Sequence, residues 1–377
     1  MSATFIEHFS DLKDPRDDKN KKHQLMDIVF LVIAAVISGA EGWEAIETFG
    51  EEKLEWLRKY FPFANGVPSH DCIRMVMISL SPKALQGCFA RWMQAMVEVA
   101  NGEVVAIDGK TLRRSFDRAE GLGAIHMVSA WAKRNGVSLG QMKTDEKSNE
   151  ITAIPALLAL LELRGCIVTL DAMGCQREIA EKIREQGADY VLAVKKNQKE
   201  LHQAIEDYFE TAEGAGYRAV PLEREEVDSG HGRVEVRRYQ LVPALRTLPK
   251  PEPWKDLQGI ARVEGERHLG DRVSTEVRYY ITSFGQDVGR LAEAVRGHWG
   301  IENSLHWVLD VTFQEDDSRL RSGYGAENFA VIRHIALNLL KREPSKVSLK
   351  RKRYKAALSN EFRNFSISPG KLENSKM

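Results

Sequence analysis

Two short apolar segments of this chain each end on an aspartate, Asp108 and Asp171. From residue 103 to residue 194, such segments alternate with stretches of helical spacing, which predicts the order β-β-β-α-β-α-β. Asn135-Gly136 predicts a hairpin turn between the second and third strands. The order indicates a mixed α/β sheet, in which the hairpin supplies antiparallel strands and the later strands are parallel.

The pattern outside this sheet divides the chain further. Residues 1–100 predict several short helices, and both a plain helical bundle and a DNA-binding or assembly domain fit them. Residues 101–342 are interpreted as one domain with the strand order of a ribonuclease H-like fold, interrupted by a β-rich insertion at about 215–285. Residues 343–377 form a basic tail that we expect to be flexible.

The composition argues against whole-surface attraction to nucleic acid. The chain has 54 basic and 54 acidic residues, so any contact with a polyanion depends on local basic patches. The four cysteines have no zinc or disulfide spacing and are predicted to be free thiols. The apolar run at 28–37 has about half of the ~20 residues that span a bilayer, so it predicts a buried helix. We expect a cytoplasmic protein without a membrane partner.

The two aspartates are candidate metal ligands. Active groups of an open α/β sheet gather at the carboxyl ends of its strands, and two acids there can share hard cations such as Mg²⁺. Two such ions about 4 Å apart can act on both oxygens of a displacement at phosphorus. A turn-capping role is the more ordinary one for a single strand-terminal aspartate. The presence of two, the first followed by Gly109-Lys110, favours a metal site.

A third acid is expected, and Glu302 is the best candidate. If one helix carries His298, Glu302 and His306, the three side chains share a face. Two exposed histidines on a polar face are the plainer interpretation, and a zinc-binding face has less support because the HExxH motif is absent. Glu315, Asp316 and Asp317 are rival acids, although such a cluster is more often a solvated loop.

Several runs of the chain resemble those of bacterial insertion-sequence transposases, a group that includes the H-repeat-associated proteins. The similarity extends from about residue 5 to about residue 345. The runs that carry it are AIDGKTLR at 106–113, KTDEKSNEITAIP at 143–155, TLDAMGCQ at 169–176, SGHGR at 229–233 and HWGIENSLHW at 298–307.

This resemblance implies a DDE transposase with a ribonuclease H-like core and a β insertion before the third acid. It implies that Asp108, Asp171 and Glu302 bind two Mg²⁺ ions, for which Mn²⁺ can substitute. It also implies double-stranded DNA as partner, both element ends and target, and a homodimer that brings two ends together.

The family's Tyr-Arg-Glu-Lys signature is only partly present. Val295, His298 and Leu309 stand at its Tyr, Arg and Lys positions. Glu315 and Asp316 therefore stay open as the third acid. A nuclease of the same fold, and a transposase-derived DNA-binding protein without turnover, are the competing functions.

Basic and polar side chains near predicted strand ends and turns are candidates to contact DNA. For any one of the lysines, an exposed and solvated side chain is the more ordinary state, and the segment at 231–233 fits a plain turn equally well. The candidates are Lys110, Arg113, Lys143, Lys147, Lys195, Asn197, His231, Arg233 and His298.

Overall fold

The N-terminal part of the chain is helical. The computed structural model describes residues 3–98, 100–116, 121, 123–144, 150–215, 222–230, 232–244, 248 and 254–367. Its first helices are α1 (Ala3–Phe9), α2 (Leu25–Ile37), α3 (Trp43–Leu57), α4 (His70–Ser79) and α5 (Pro82–Met96).

The apolar helix α2 is buried as the sequence predicts. Every residue of α2 except Met26 is buried, because helices and not solvent surround it on all sides. Among the described residues, no helix has both the length and the apolar character needed to cross a membrane.

The predicted mixed α/β order is confirmed in the central part of the chain. Strands β1 to β5 alternate with two helices in the expected sequence. The strands are β1 (Val104–Thr111), β2 (His126–Ala132), β3 (Val137–Lys143), β4 (Ile167–Leu170) and β5 (Asp189–Val194); the helices are α6 (Glu150–Leu158) and α7 (Arg177–Glu185). β1 pairs with β2 in antiparallel and with β4 in parallel orientation, so β1 lies at the centre of this group.

The strands at 222–282 extend the main sheet. They follow α8 (Lys199–Ala215) and are β6 (Leu222–Gly230), β7 (Arg233–Pro243), β8 (Gly259–Leu269) and β9 (Arg272–Thr282). β9 pairs with β5, which gives a nine-stranded sheet in the order β3-β2-β1-β4-β5-β9-β8-β7-β6. The sequence pattern missed α8 and β6; β6 is exposed on both faces and so has no apolar alternation.

The C-terminal part is helical and packs back on the rest. Its helices are α9 (Val288–Ile301), α10 (Trp307–Phe313), α11 (Gly325–Arg342), α12 (Leu349–Leu358) and α13 (Asn360–Ile367). α9 lies on one face of the sheet, where Leu291 and Val295 pack with Val104 and Ile167. A Cβ atom at Gly297 would lie 2.8 Å from a methyl group of Val104. The glycine therefore lets α9 approach β1 closely.

The basic run at 350–355 differs from the expected flexible tail. It lies on α12, where Lys352 and Arg353 are buried. Arg353 donates to the carbonyl oxygen of Val36 at 2.9 Å and pairs with Glu41 at 2.7 Å. The Val36 carbonyl at the end of α2 and the partly buried carboxylate of Glu41 thus fix this segment, which composition alone does not reveal.

Candidate active site

The first two acids lie on neighbouring strands at the same level of the sheet. β1 and β4 pair in parallel over residues 104–107 and 167–170, so Asp108 and Asp171 are the next residues beyond the paired segment. Both side chains point to the same face because the strands are in register. β1 does not end at Asp108, as the sequence suggested, but continues to Thr111 against β2.

One carboxylate oxygen of Asp171 caps a turn. Oδ1 accepts hydrogen bonds from the backbone N–H groups of Met173, at 2.9 Å, and Gly174, at 3.2 Å. Burial raises the pKa of Asp171, and these N–H groups oppose the rise. The local role predicted as the plain alternative is therefore present. It occupies one of the two oxygens and is compatible with metal binding by the other.

A π-helix joins α9 to α10 and carries Glu302. The π-helix spans Glu302–His306, and its geometry is seen in the hydrogen bond from the N–H of Trp307 to the carbonyl oxygen of Glu302, five residues back. Short π segments inside α-helices occur frequently at functional sites. The side chain of Glu302 shares a hydrogen bond with that of Asp108. Two carboxyl groups can share such a bond only if one of them carries a proton.

His306 lies against the same two acids. Its Nδ1 atom is 3.5 Å from Oδ2 of Asp108 and 3.5 Å from Oε2 of Glu302. One donor atom from each of the three residues lies within 4.8 Å of the others. Two carboxylate oxygens and an imidazole nitrogen fit a divalent cation. The interpretation of His306 as an exposed histidine is wrong, because its side chain is only 6% exposed.

The electrostatics of the cluster favour a cation. Burial, followed by repulsion from Glu302, raises the pKa of Asp108 to about 8, and Glu150 and Asp171 add to that repulsion. The hydrogen bond with His306 lowers the pKa of Glu302. A carboxyl group whose pKa is raised by neighbouring carboxylates is stabilised in its charged form when a positive charge arrives. The proton held by the pair is then released.

His298 lies between α9 and the sheet. Its Nδ1 atom is hydrogen-bonded to Oγ1 of Thr169 at 3.0 Å, and burial lowers the pKa of the ring to about 4. The ring is therefore neutral at pH 7. It lines the same face of the sheet as Asp108 and Asp171.

The rival acid Glu315 is already neutralised by cations. It is buried on a short 3₁₀ helix, and its Oε2 atom accepts a hydrogen bond from Nζ of Lys110 at 2.9 Å. Its Oε1 atom is 4.0 Å from Arg333. Burial alone raises the pKa of Glu315, but the charges of Lys110 and Arg333 lower it below its ordinary value. The other rival, Asp316, pairs with Arg113 at 3.2 Å.

Lys110 is not available to contact DNA in this structure. Its side chain is 12% exposed and is bonded to both Asp310 and Glu315. The sequence placed a lysine beside the first acid but could not show which way the side chain points. β1 continues as a paired strand at this position, and Lys110 points into the protein.

The other predicted DNA contacts differ in exposure. Lys147 and His231 lie outside the described residues, and Lys143 is half-buried at the end of β3. Lys195 is close enough to Asp171 to lower the pKa of that carboxyl. The exposed candidates are Arg113, Lys195, Asn197 and Arg233. The amide of Asn197 donates to the carbonyl oxygen of Ala172 at 2.6 Å, and Arg233 pairs with Glu235 at 2.9 Å.

A groove of about 790 Å³ lies between the strands at 222–282 and the helix that carries Glu302. Its lining includes Trp299, which is 48% exposed, and Arg278, whose guanidinium lies 4.6 Å from the centre of the indole ring. Arg296 lines the groove as well. Arg278 pairs with Glu276 and Arg296 pairs with Asp228, and both acids lie on these strands. The groove therefore combines arginines and an aromatic face beside the acid cluster.

Sequence reasoning missed a histidine–glutamate pair next to the acids. Nε2 of His126 is 2.8 Å from Oε1 of Glu150. The pair lies over Gly109, where any side chain would collide with both partners. Gly109 directly after Asp108 is thus the sequence signal for this pair. The charge of Glu150 contributes to the raised pKa of Asp108.

Two protein families match most of the chain. The one described as "Transposase DDE domain" matches residues 100–339, and the one described as "DDE_Tnp_1-associated" matches residues 6–93. Together they include the helical N-terminal part and the residues that form the acid cluster.

Relatives with the same extent are found in Escherichia coli. "Putative transposase YncI" of strain O157:H7 is 45% identical over 361 residues, 94% of this chain and 92% of that protein. "H repeat-associated putative transposase YhhI" of strain K12 is 44% identical over 369 residues, 95% of this chain and 96% of that protein. A shorter relative, "Inactive transposase YbfQ" of strain K12, is 51% identical over 72 residues, 19% of this chain and 86% of that protein.

A distant likeness is found among solved structures. The piggyBac transposase, in a synaptic complex with hairpin DNA, aligns with a TM-score of 0.40 at 12% sequence identity. The alignment covers 98% of this chain and 78% of that chain.

Proposed function

The chain belongs to the H-repeat-associated DDE transposases, and from this premise we propose that it cleaves the DNA ends of an insertion element and transfers them to target DNA. Membership in the family implies the use of divalent metal ions. The finer proposal is that Asp108, Asp171 and Glu302 hold two ions, Mg²⁺ in the first place and Mn²⁺ as a substitute. The core domain is proposed to be ribonuclease H-like.

The observation that carries this proposal is the proximity of Asp108 to Glu302, with Asp171 at the same level on the neighbouring strand. Strand register brings Asp108 level with Asp171, and the side chain of Glu302 shares a hydrogen bond with that of Asp108. When bound, divalent ions at such a site activate the attacking oxygen and stabilise the leaving oxygen of an in-line displacement at phosphorus. Cleavage and strand transfer are both displacements of this kind, so one set of acids serves both.

The chain's own residues orient this site. The N–H groups of Met173 and Gly174 fix one oxygen of Asp171, so the direction of its carboxylate is set before a ligand arrives. The proton shared by Asp108 and Glu302 reduces their repulsion in the metal-free protein and is displaced when cations bind. Thr169 holds the neutral ring of His298 under the site.

DNA is proposed to approach along the groove beside α9. Arg233, Arg278 and Arg296 line it, and phosphate groups can compete with the acids that now pair with these guanidinium groups. Arg113, Lys195 and Asn197 would add contacts around the acids, and Lys143 stays a candidate. Contacts of this kind position DNA without reading its sequence.

Recognition of specific ends is proposed to lie with the helical residues 1–100. The catalytic domain would then span residues 101–342. Because two ends must be held together, a homodimer is proposed for the synaptic complex. A cytoplasmic location beside the nucleoid follows from the same proposal.

The test is a cleavage and joining assay. The purified protein is incubated with Mg²⁺ and labelled duplexes that contain the sequences flanking the gene. The variants Asp171→Ala and Glu302→Ala are assayed in the same way. We expect cleavage and joining by the unmodified protein, and DNA binding without cleavage by both variants. Asp317→Ala, at an exposed acid of the 315–317 helix, is the matched control and should remain active.

Each competing function has its own outcome in this assay. Cleavage without joining would favour a nuclease. Binding without cleavage by the unmodified protein would favour a transposase-derived DNA-binding protein. An active Glu302→Ala variant would remove Glu302 from the site.

A further inference from the structure

We propose that His306 is itself a metal ligand, through Nδ1, at the ion that Asp108 and Glu302 share. The inference rests on the proposed function and deepens it, because it adds a nitrogen donor to a set of carboxylates. Its consequence is a site that binds Mn²⁺ and other transition-metal ions more tightly, relative to Mg²⁺, than an all-oxygen site does.

The first argument is the position of the ring. Nδ1 of His306 is equally close, at 3.5 Å, to one oxygen of Asp108 and one of Glu302. Donors separated by this distance can both reach one cation, since metal–ligand distances of about 2.1 Å allow separations up to about 4.2 Å. The side chain of His306 is 6% exposed, so this nitrogen faces the acids and not solvent.

The second argument is the backbone that delivers the ring. Glu302 and His306 are the first and last residues of the π-helix, the one departure from α-helical geometry between Val288 and Phe313 in the described structure. The π-helix holds both side chains against Asp108 on β1.

The third argument is the other ring nitrogen. A ligand nitrogen must be unprotonated, so the proton of the neutral ring has to be on Nε2. His306 lines a small cavity of about 10 Å³ with Gln141 and Glu315, and its Nε2 atom has no hydrogen-bond partner among the described residues. Such a cavity has room for about one water molecule. Through such a water, Nε2–H can donate toward the carboxylate of Glu315.

The experiment uses the full chain and Mn²⁺ alone. Bound Mn²⁺ is examined by electron spin echo envelope modulation, which detects the coupling of a directly bound ¹⁴N nucleus. We expect ¹⁴N coupling in the unmodified protein, no bound signal in Asp108→Ala, and loss of the coupling in His306→Gln with a fall in Mn²⁺ affinity of about 10-fold or more. His298→Gln is the matched control, since it removes the nearby histidine of α9 and leaves the π-helix unchanged, and the coupling should persist.

A second variant tests the ligand assignment if His306→Gln fails to fold. His306→Asn carries an amide oxygen close to the position of Nδ1, so it should bind Mn²⁺ without nitrogen coupling and with a lower preference for Mn²⁺ over Mg²⁺. Coupling that persists in His306→Asn, or bound Mn²⁺ without coupling in the unmodified protein, overturns the ligand assignment. Cleavage and joining with Mg²⁺ would still proceed in that case, so the proposed function would stand. Loss of cleavage in the unmodified protein would instead count against the function.

Discussion

Two groups of acidic side chains, one at Glu315 and one formed by Asp108 and Glu302, differ in how their negative charge is compensated. Glu315 is buried with Lys110 and Arg333, so its charge is compensated inside the fold. Among the described residues, neither Asp108 nor Glu302 pairs with a lysine or an arginine, and burial and repulsion from Glu302 raise the pKa of Asp108. The first cluster is complete without a ligand, whereas the second gains stability when one binds. The difference separates a structural acid from a functional one more clearly than burial does.

The largest expected effect comes from removing the charge of the uncompensated cluster. Asp108→Asn keeps the shape of the side chain but removes a metal ligand. Metal stabilisation of developing charge is worth several kcal/mol, and about 4 kcal/mol corresponds to about 10³-fold in rate. We therefore expect cleavage of labelled DNA ends to fall by about 10³-fold with DNA binding retained. Activity within 10-fold of the unmodified protein would mean that Asp108 is not a ligand.

The same substitution in the compensated cluster should act on stability. Glu315→Gln removes a buried counter-charge from Arg333 and one of the two carboxylates that pair with Lys110, which keeps Asp310. Loss of one partner of a buried ion pair costs about 3–5 kcal/mol, and we expect a decrease of that size in the free energy of unfolding in urea. Glu315→Asp, which keeps the charge, should lose less. Equal losses for both variants would show that packing, and not charge, dominates at this position.

Asp108→Asn should have the opposite effect on stability in metal-free protein. The folded protein raises the pKa of Asp108 from 3.8 to about 8, so it holds a proton that the unfolded chain has released. The resulting penalty is absent below the unfolded pKa and grows as pH rises toward the folded pKa. With EDTA present, we expect the variant to be more stable by several kcal/mol at pH ~8. A gain that does not shrink toward pH ~5 would contradict this cause.

The smallest effect is expected at the surface between the clusters. Arg113 is 81% exposed and pairs with Asp316. Such pairs contribute about 0–1 kcal/mol, so Arg113→Ala should barely change unfolding. If Arg113 contacts a phosphate, the salt dependence of DNA binding should fall by about one unit of slope. An unchanged slope would remove Arg113 from the DNA path.

The order of strands and helices along residues 103–194, and the position of Asp171 directly after a strand, were predictable because the relevant signals are local. Apolar runs, the Asn135-Gly136 turn and the strand-end position of Asp171 are all read within a few residues. The spacing of Glu302 and His306 also predicted that the two side chains share one face of a helix. The burial of His306 could not be predicted from the sequence, because it depends on how closely α9 approaches β1.

Charge pairing was the least predictable property. Lys110 has no local feature that directs it toward Glu315, which lies 205 residues away in the sequence. The basic run at 350–355 looked like a solvated tail for the same reason, since the partners of Arg353 lie near residues 36 and 41. Both errors arise because compensation between charges is a long-range property of the fold.

The anchoring of the C-terminal helices to α2 has a consequence for protein synthesis. α2 is buried on all sides partly by α11 and α12, and α11 begins about 290 residues after α2 ends. At about 5–20 residues per second, the ribosome needs roughly 15–60 s to make that stretch. During this time the most apolar helix of the nascent chain is without its final partners. The newly synthesised protein should therefore depend on chaperones, and a chain truncated before α11 should be degraded by proteases.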